Sequence, residues 1–339
     1  MNIILDAHGG DHAPLEPIKG AALAVKEYGV PITLCGDEAQ IRAVAQKNGV
    51  SLEGLSFHQA DKIMPMDGDP AQIVSQYAES SMAVGLGLLA QGKGDAFVSA
   101  GNTGALAVGG SVIVKRMKGI KRSALAVVIP NAKSCHMLID CGANVECRPE
   151  MLQTFGIMGS AYMEKVHKIP KPRVGLVNIG TEDSKGLNLQ IEAGKLLRKS
   201  PIHFIGNIEA REIPLGGCDV AVCDGFTGNV ILKLTEGVGK WIAAELKQIL
   251  FKNVGTKLAA LMIKGGLQRF KDSMDYSEYG GAPLLGLKKP VIKAHGSSDA
   301  DAFKNAIRQA KLMVETDMVG QVGKALAELK SSEAGAGDE

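Results

Sequence analysis

Short apolar runs rich in β-branched residues alternate along this chain with longer amphipathic stretches, and the pattern predicts strands and helices in turn. The amphipathic stretches at residues 17–28, 39–48, 70–89, 149–167 and 187–199 predict helices. The apolar runs predict strands at residues 2–6, 32–36, 96–100, 125–129, 137–140, 174–178, 203–205, 220–223 and 291–294. Strands that alternate with helices need crossover connections. We therefore expect a doubly wound α/β fold, with a mostly parallel sheet covered by helices on both faces.

One region departs from this alternation. From Val238 to about Lys271 the pattern is helical throughout, which predicts a helical hairpin that protrudes from the sheet. Residues 1–330 predict one α/β unit, built either as a single domain or as two subdomains around a cleft. Residues 331–339 are small and polar, and they predict a flexible tail.

Small polar loops that contain glycine follow six of the predicted strands. In an open parallel sheet, ligands bind beyond the carboxyl ends of the strands, where glycine allows close approach and helix N-termini attract anions. One such loop is ordinary turn or capping chemistry, but six at one edge of a sheet predict a site for phosphate or another oxyanion. The six loops occupy residues 7–12, 101–104, 141–144, 180–186, 224–229 and 295–299.

Other phosphate and metal motifs do not fit the sequence. Gly85 and Gly87 have the spacing of a dinucleotide-binding turn, but they end a helical pattern, so we interpret them as close helix packing. The chain has neither a Gly-x-x-x-x-Gly-Lys-Ser/Thr loop nor a Gly-x-Ser-x-Gly nucleophile elbow. Cys135, Cys141 and Cys147 are separated by five-residue gaps that fit no common zinc site. We expect reduced thiols, no metal and no cofactor.

Composition narrows the class of ligand. Aromatic residues make up 4% of the 339 residues and the formal net charge is +2, so no nucleic-acid partner is indicated. The N-terminus lacks signal-peptide features, and no run approaches the ~20 apolar residues of a membrane span. We expect a cytoplasmic enzyme that acts on a small molecule.

Sequence blocks along nearly the whole chain resemble the bacterial phosphate acyltransferases of phospholipid synthesis. They include Asp-Ala-His-Gly-Gly-Asp at 6–11, Ser-Ala-Gly-Asn-Thr-Gly at 99–104 and Asp-Gly-Phe-Thr-Gly-Asn at 224–229. The other blocks lie at residues 140–144, 174–180, 204–207, 276–286 and 294–298. His8 stands where the family generally has methionine.

The resemblance implies a fold like those of isopropylmalate dehydrogenase and phosphotransacetylase. It implies transfer of a fatty acyl group from acyl carrier protein to inorganic phosphate, by a homodimer peripherally associated with the membrane surface. A downstream glycerol-phosphate acyltransferase is a further candidate partner. In this reaction phosphate is the nucleophile, and a thiol with a pKa of about 8.5 leaves readily. The protein need only position the phosphate and stabilise the oxyanion.

Three candidate catalytic residues lie in the glycine-containing loops. Lys185 is a candidate cation for phosphate or the oxyanion, Asn229 a candidate oxyanion donor, and His12 a candidate phosphate ligand or proton donor. Their structural alternatives are an exposed lysine, an N-cap and an exposed histidine. Asp6 and Asp11 would repel phosphate on direct contact, so we expect them to hold loop N–H groups in place. The candidate substrate-binding residues are Asp6, Gly9, Gly10, Asp11, Ser99, Gly101, Asn102, Thr103, Gly104, Asn144, Gly180, Gly228, His295 and Ser298.

A basic cluster places five cations within eight residues, with no acid among them. The pattern suits either a helix C-terminus or a surface that steers acidic acyl carrier protein. The members of the basic cluster are Lys115, Arg116, Lys118, Lys121 and Arg122.

The hairpin carries an apolar tip formed by Leu258, Leu261 and Met262. This tip predicts either insertion into the membrane interface or a buried dimer contact. Four cations flank it and suit anionic lipid headgroups. They are Lys257, Lys264, Arg269 and Lys271.

Two other functions are compatible with the fold class. A nicotinamide-dependent dehydrogenase of the β-hydroxyacid type needs a metal-binding aspartate cluster and an adenine-binding loop, and neither is evident in the sequence. A non-catalytic lipid-binding or regulatory protein would bind ligand without turnover.

Overall fold

The computed structural model describes residues 1–267 and 279–335, and one sheet of eleven strands runs through them. Their order across the sheet is β3-β2-β1-β4-β11-β10-β5-β6-β9-β7-β8. The strands are β1 (Ile3–Asp6), β2 (Ile32–Gly36), β3 (Leu55–Gln59), β4 (Ala96–Ser99), β5 (Ala124–Pro130), β6 (Cys135–Ile139), β7 (Arg173–Asn178), β8 (His203–Glu209), β9 (Val220–Val222), β10 (Ala282–Leu285) and β11 (Val291–Lys293).

Helices cover both faces of this sheet. In β1, Ile3 and Leu5 belong to an apolar cluster on one face, and Ile4 belongs to a cluster on the other. Phe303 of α9 lies in the first cluster and Leu86 of α3 in the second, which confirms the doubly wound α/β prediction. The helices are α1 (Leu15–Tyr28), α2 (Glu38–Asn48), α3 (Ser81–Ala90), α4 (Thr103–Gly109), α5 (Pro149–Lys165), α6 (Asn188–Arg198), α7 (Gly225–Leu250), α8 (Val254–Met262), α9 (Ala300–Glu315) and α10 (Met318–Gly335).

Strand direction reverses in the middle of the sheet. β1, β4 and β11 are mutually parallel along the sheet, but β10 is antiparallel to both β11 and β5, and β5 is antiparallel to β6. β6, β9 and β7 therefore run opposite to β1, β4 and β11. The expectation that six loops share one edge of a parallel sheet is therefore wrong. Three of the loops follow β1, β4 and β11, and the other three follow β6, β7 and β9, which run in the opposite direction.

Two strands escape the sequence pattern for local reasons. β3 lies at the edge of the sheet, pairs with β2 and is largely exposed, so its polar composition hides it. β10 contains Pro283, and proline in a short run argues against a strand. Both still pair in register with their neighbours.

The helix predicted over residues 70–89 is broken into two pieces. Asp69 caps a short 3₁₀ turn over Pro70–Val74, and Ser75 leaves helical geometry. α3 begins at Ser81 with Ser80 as its cap. Gly85 lies within α3 and packs against the ring of Phe97 in β4. This contact confirms that the Gly-x-Gly spacing reflects helix packing.

The helical hairpin consists of α7 and α8, joined at residues 251–253. α7 begins at Gly225, earlier than the predicted Val238, because the loop after β9 passes directly into it. Within the described part of the chain, no helix is long and apolar enough to cross a membrane. Arg269 and Lys271, with residues 276–278 of the resemblance block, lie outside the described residues.

The flexible tail expected over residues 331–339 stays a prediction. α10 continues to Gly335, and the Ser331 hydroxyl donates hydrogen bonds to the Ala327 and Glu328 carbonyls. Residues 336–339 lie outside the description.

Candidate functional site

A cavity of about 440 Å³ lies over the middle of the sheet, where the direction of the strands reverses. Loops after β1, β4 and β11 reach it from one side through Asp11, Thr103 and His295. From the other side, Gly142 follows β6 and Asn229 lies in the first turns of α7. Both groups of loops therefore meet at one cavity, although they do not lie at one edge.

The wall between the two groups of loops is apolar. It comes mainly from β5 and from the side of α7 that faces the cavity. Its apolar residues are Met66, Leu125, Val127, Val128, Leu232, Ala282, Ala294 and Ala302. A cavity with charged loops around an apolar wall fits an amphipathic ligand.

A second, larger concavity of about 790 Å³ lies elsewhere on the surface. Lys19, Leu23 and Lys26 of α1 line it together with residues 49–51, 53 and 54. Ala300, at the start of α9, also lines it, but none of its lining residues is a predicted site residue. The smaller cavity is therefore the candidate site.

The loops of the first group are held together by Asp6. Its buried carboxylate accepts hydrogen bonds from the Ser81 and Ser99 hydroxyls, each at 2.6 Å, and from the His8 N–H at 3.2 Å. The Ser99 hydroxyl in turn accepts from the Gly101 N–H. Gly9 packs so closely against Gly101 that a Cβ would lie 2.7 Å from its nitrogen. Asp6 thus joins β1, β4 and α3.

The His8 side chain makes a separate hydrogen bond, away from Asp6. Its Nε2 accepts a hydrogen bond of 2.9 Å from the Asp37 N–H, at the cap of α2. Burial lowers the pKa of His8, against the raising effects of Asp6 and Asp37. A neutral ring is the form that can accept this bond, so His8 has a structural role in this loop.

Asp140 organises the loops of the second group. Its buried carboxylate accepts from the N–H groups of Leu125, Ala143 and Asn144, and from the Asn144 side-chain amide. Burial raises the pKa of Asp140, and these hydrogen bonds oppose the rise. Gly228 packs on the Asp140 carbonyl, where a Cβ would overlap the oxygen. The start of α7 is therefore fixed to the loop after β6.

The helix N-termini near the cavity are already capped by carboxylates. In α7, Asp224 accepts from the Thr227 N–H at 2.8 Å. In α9, Asp299 accepts from the Ala302 N–H and Glu16 from the Ala300 N–H, both at 2.9 Å. Carboxylates therefore already accept hydrogen bonds from some of the N–H groups that the sequence assigns to an anion at α7 and α9.

The positive charges at the cavity belong to residues that the sequence reasoning missed. Lys233 of α7 and Lys293 of β11 both line it, and Lys233 pairs with Glu236 at 2.9 Å. Asn229, Lys233 and Glu236 follow helical spacing, so this spacing was a usable signal. Lys293 lies in an otherwise apolar strand of a two-sided sheet, which is a second signal.

His295 is the third basic side chain at the cavity. Burial lowers its pKa, and Lys233 contributes in the same direction. Its Nδ1 accepts a hydrogen bond from the Ser297 N–H, which leaves Nε2 for another partner.

Five of the predicted site residues line the cavity: Asp11, Thr103, Asn229, His295 and Ser298. Asn229 is not the N-cap of α7, because Asp224 has that position. Within the described residues the Asn229 amide makes no hydrogen bond, so its donors are free for a ligand.

Other predicted residues are committed to the fold. The Asn102 side chain caps α4 and donates to the Met66 and Gly68 carbonyls. The Asn144 amide donates to Ser123 and Asp140. The remaining candidates of this kind pack in the loops without lining the cavity: Asp6, Gly9, Gly10, Ser99, Gly101, Gly104 and Gly228.

Lys185, Gly180 and His12 lie outside the cavity lining. Lys185 and His12 are exposed. Hydrogen bonds tie the loop of Lys185 toward the sheet edge, since Asn207 of β8 donates to the Glu182 carbonyl at 2.8 Å. Lys185 therefore does not line the cavity that Asn229 lines.

All six cysteines are free, and all but Cys147 are buried. Burial raises the pKa of the Cys141 thiol well above its usual value, although this residue lines the cavity. Residues 1–267 and 279–335 hold no group of three or more His, Cys, Asp or Glu side chains that could bind a metal ion.

Comparisons with known proteins agree along nearly the whole length. A family model described as a fatty acid synthesis protein matches residues 1–321. The chain is 47% identical over 333 residues to a phosphate acyltransferase of Alkaliphilus oremlandii, covering 98% of this chain and 99% of the relative. It is 47% identical over 323 residues to one of Thermoanaerobacter pseudethanolicus, covering 95% and 96%.

Solved structures show the same fold at much lower identity. A phosphotransacetylase from Streptococcus pyogenes superposes with a TM-score of 0.63 at 18% identity, covering 93% of this chain and 94% of the other. This likeness confirms the predicted phosphotransacetylase-like fold.

Proposed function

This chain belongs to the phosphate acyltransferase family of fatty acid and phospholipid synthesis, and we propose that it transfers a fatty acyl group from acyl carrier protein to inorganic phosphate. The chain is a transferase, and the proposal concerns its substrates. The product is an acyl phosphate, made by a cytoplasmic enzyme that attaches peripherally to the membrane.

The observation that carries the proposal is the make-up of the cavity. One space of about 440 Å³ combines Lys233, Lys293 and His295 with the apolar side chains of β5 and α7. The lysine ammonium groups suit phosphate, the His295 ring can donate a hydrogen bond to it, and apolar walls suit an acyl chain. The two reactants would thus meet where the strand-end loops converge.

The chemistry asks little of the protein beyond position and charge. A phosphate oxygen attacks the thioester carbonyl, a C–O bond forms, and the C–S bond breaks as the thiolate leaves with the electron pair. Asn229, which lines the cavity, would donate a hydrogen bond from its side-chain amide to the oxyanion that develops on the carbonyl. His295 has Nε2 available for phosphate or for proton transfer to the leaving sulfur.

Lys185 and His12 stay predictions. Both are exposed and neither lines the cavity, so a contribution to the oxyanion would come through a charge that solvent screens. The lysines that line the cavity are Lys233 on α7 and Lys293 on β11.

The basic cluster is the proposed surface for acyl carrier protein. All five side chains are exposed, and only Lys121 is recorded near an acid within the described residues, 3.9 Å from Glu150. The turn after β10 lies beside the cluster, since the backbone N–H of Lys288 donates to the Lys115 carbonyl. β10 runs from this turn to the cavity at Ala282, which links the two.

The hairpin is the proposed site of contact with the membrane. Leu258, Leu261 and Met262 are 62%, 72% and 88% exposed at its tip, with Lys257 and Lys264 beside them. We also propose a homodimer, and burial of this tip between two subunits is the competing account. The downstream glycerol-phosphate acyltransferase is a proposed partner that would take up the product.

The decisive experiment incubates the protein with an acyl carrier protein thioester and inorganic phosphate. Release of free thiol that requires phosphate, with formation of an acyl phosphate, is the expected result. Thiol release without phosphate would indicate a thioesterase instead. The change in melting temperature with phosphate and with NAD tests the dehydrogenase alternative, since a dehydrogenase should be stabilised by NAD. Ligand binding without turnover would indicate a non-catalytic protein.

A further inference from the structure

Lys293 is a buried cation at the centre of the molecule. It ends β11, in register with Ser99 of β4 and Ala282 of β10, and the residue is 7% exposed. A lysine in this position is costly, because burial removes the water that solvates its charge. It nevertheless lines the cavity.

Two of the three N–H donors of the Lys293 ammonium have hydrogen-bond partners. Its ammonium donates to the Ala100 carbonyl at 3.0 Å and to the Ala294 carbonyl. An ammonium has three N–H donors, so the third is available to a ligand in the cavity. The two carbonyls fix the position of the charge, as a binding site for an anion requires.

No carboxylate within the described residues pairs directly with Lys293 at ion-pair distance. Asp6 acts on its charge from β1, but that carboxylate is occupied by the Ser81 and Ser99 hydroxyls. Lys233 differs, since it is half exposed and already pairs with Glu236. Lys293 is therefore the cavity cation whose charge still lacks a direct counterion.

We infer that Lys293 binds the inorganic phosphate that attacks the thioester, a role that rests on the proposed function. Its N–H contacts a phosphate oxygen other than the attacking one, so the ammonium neither gains nor loses a proton. The incoming anion supplies the counterion that the buried ammonium lacks.

The surroundings make this interaction sensitive to pH. Burial lowers the pKa of Lys293 to about 8, with Asp6 and Asp11 opposing the change and Lys233 adding to it. His295 is a further titratable neighbour. Because the protonated amine is the form that attracts phosphate, phosphate binding should weaken as the pH rises through about 8.

The test compares Lys293→Met with Lys93→Met, an exposed lysine that does not line the cavity. Lys293→Met should raise KM for phosphate about 10- to 100-fold, the range for a lost hydrogen bond to a charged group. KM for the acyl carrier protein thioester should stay within about twofold, and Lys93→Met should change neither value. A folded Lys293→Met variant with an unchanged KM for phosphate would overturn the assignment.

The pH profile provides a second measurement if Lys293→Met does not fold. KM for phosphate should rise above pH ~8 in the wild-type protein, whereas Lys293→Arg should remain flat because a guanidinium stays charged. A flat wild-type profile from pH ~7 to ~9.5 would contradict the role of Lys293.

Calorimetry with inorganic phosphate alone separates the role of Lys293 from the proposed function. If wild type binds phosphate but transfers no acyl group, the proposed function fails, and the comparison with Lys293→Met still decides the role of Lys293.

Discussion

The cavity and the hairpin both combine apolar side chains with lysines, but in opposite surroundings. At the cavity, Lys293 is buried and Leu125 is 7% exposed. In the hairpin, Gly225, Gly228 and Ala260 are the buried residues recorded for α7 and α8. Lys293 is thus desolvated at the cavity, whereas Lys257 and Lys264 beside the hairpin tip are hydrated.

This difference separates two tasks. A charge inside the cavity acts at short range with little screening, so it can stabilise a transition state. A charge or apolar side chain on the surface acts on large partners and is screened by salt within about 8 Å. We therefore expect cavity substitutions to change turnover or substrate affinity strongly, and surface substitutions to change binding of protein or lipid.

The largest effect is expected at Asn229. Asn229→Ala should lower turnover about 10²- to 10³-fold, because it removes one donor to the oxyanion. Steady-state rates of thiol release measure this, with circular dichroism to confirm folding. Asn188→Ala removes an exposed asparagine at the start of α6 and should leave the rate unchanged. A folded Asn229→Ala variant with normal turnover would remove the residue from the mechanism.

The hairpin should give the largest effect outside the cavity. Each large apolar side chain at the tip contributes at most about 1.5–3 kcal/mol when fully buried, and each nearby cation about 1 kcal/mol. Leu258→Glu with Leu261→Glu should therefore weaken binding to anionic vesicles at least about tenfold, while acyl transfer in solution persists. Vesicle sedimentation measures the binding.

The matched control for the hairpin is Leu215→Glu with Leu23→Glu, two exposed leucines outside it. This control should bind vesicles like the wild type. If the hairpin variant dissociates or unfolds in analytical ultracentrifugation, or still binds vesicles, the membrane proposal is wrong and a dimer contact becomes the better account.

Lys185 is an exposed candidate outside the cavity lining, so its substitution should have a smaller effect than that of Asn229. Lys185→Ala should lower turnover by less than about tenfold, because exposed charges contribute roughly 0.2–1 kcal/mol. Its effect should also shrink as salt is raised, whereas that of Asn229→Ala should not. A loss as large as that of Asn229→Ala would show that the loop of Lys185 reaches the reacting atoms after all.

The smallest effect is expected for the basic cluster. Lys118→Glu with Lys121→Glu should raise KM for the acyl carrier protein thioester a fewfold at low salt and spare a small thioester. Lys47→Glu with Lys93→Glu, at exposed positions elsewhere, is the charge-matched control. Equal losses with both substrates would point to damaged structure instead of lost steering.

Much of this molecule could be predicted from its sequence. Buried strands such as β1 and β2 are apolar at successive positions, and amphipathic helices such as α1 follow them, so local periodicity locates both. Asn229 and His295 could be chosen as site residues because they lie in loops after strands. The family resemblance also rests on such contiguous blocks.

The site itself depends on contacts between distant parts of the chain. Lys293 becomes a fixed cation because the Ala100 carbonyl, 193 residues away in sequence, accepts from it, and Asp6 is satisfied by Ser81 and Ser99. No local pattern contains these partners. Lys185 lies in a loop after β7 and is exposed, whereas Lys293 is the last residue of β11 and is 7% exposed.

The sequence by itself therefore determined most of the elements, the residue types of their loops and the family. Tertiary structure alone decided that strand direction reverses at β10 and β5, so that loops from both halves meet over the middle of the sheet. It also decided that carboxylates cap α7 and α9 and that Lys293 lacks a direct counterion. The physical reason is that periodicity and turn chemistry act between neighbours in the chain, whereas desolvation and charge pairing depend on residues brought together only by folding.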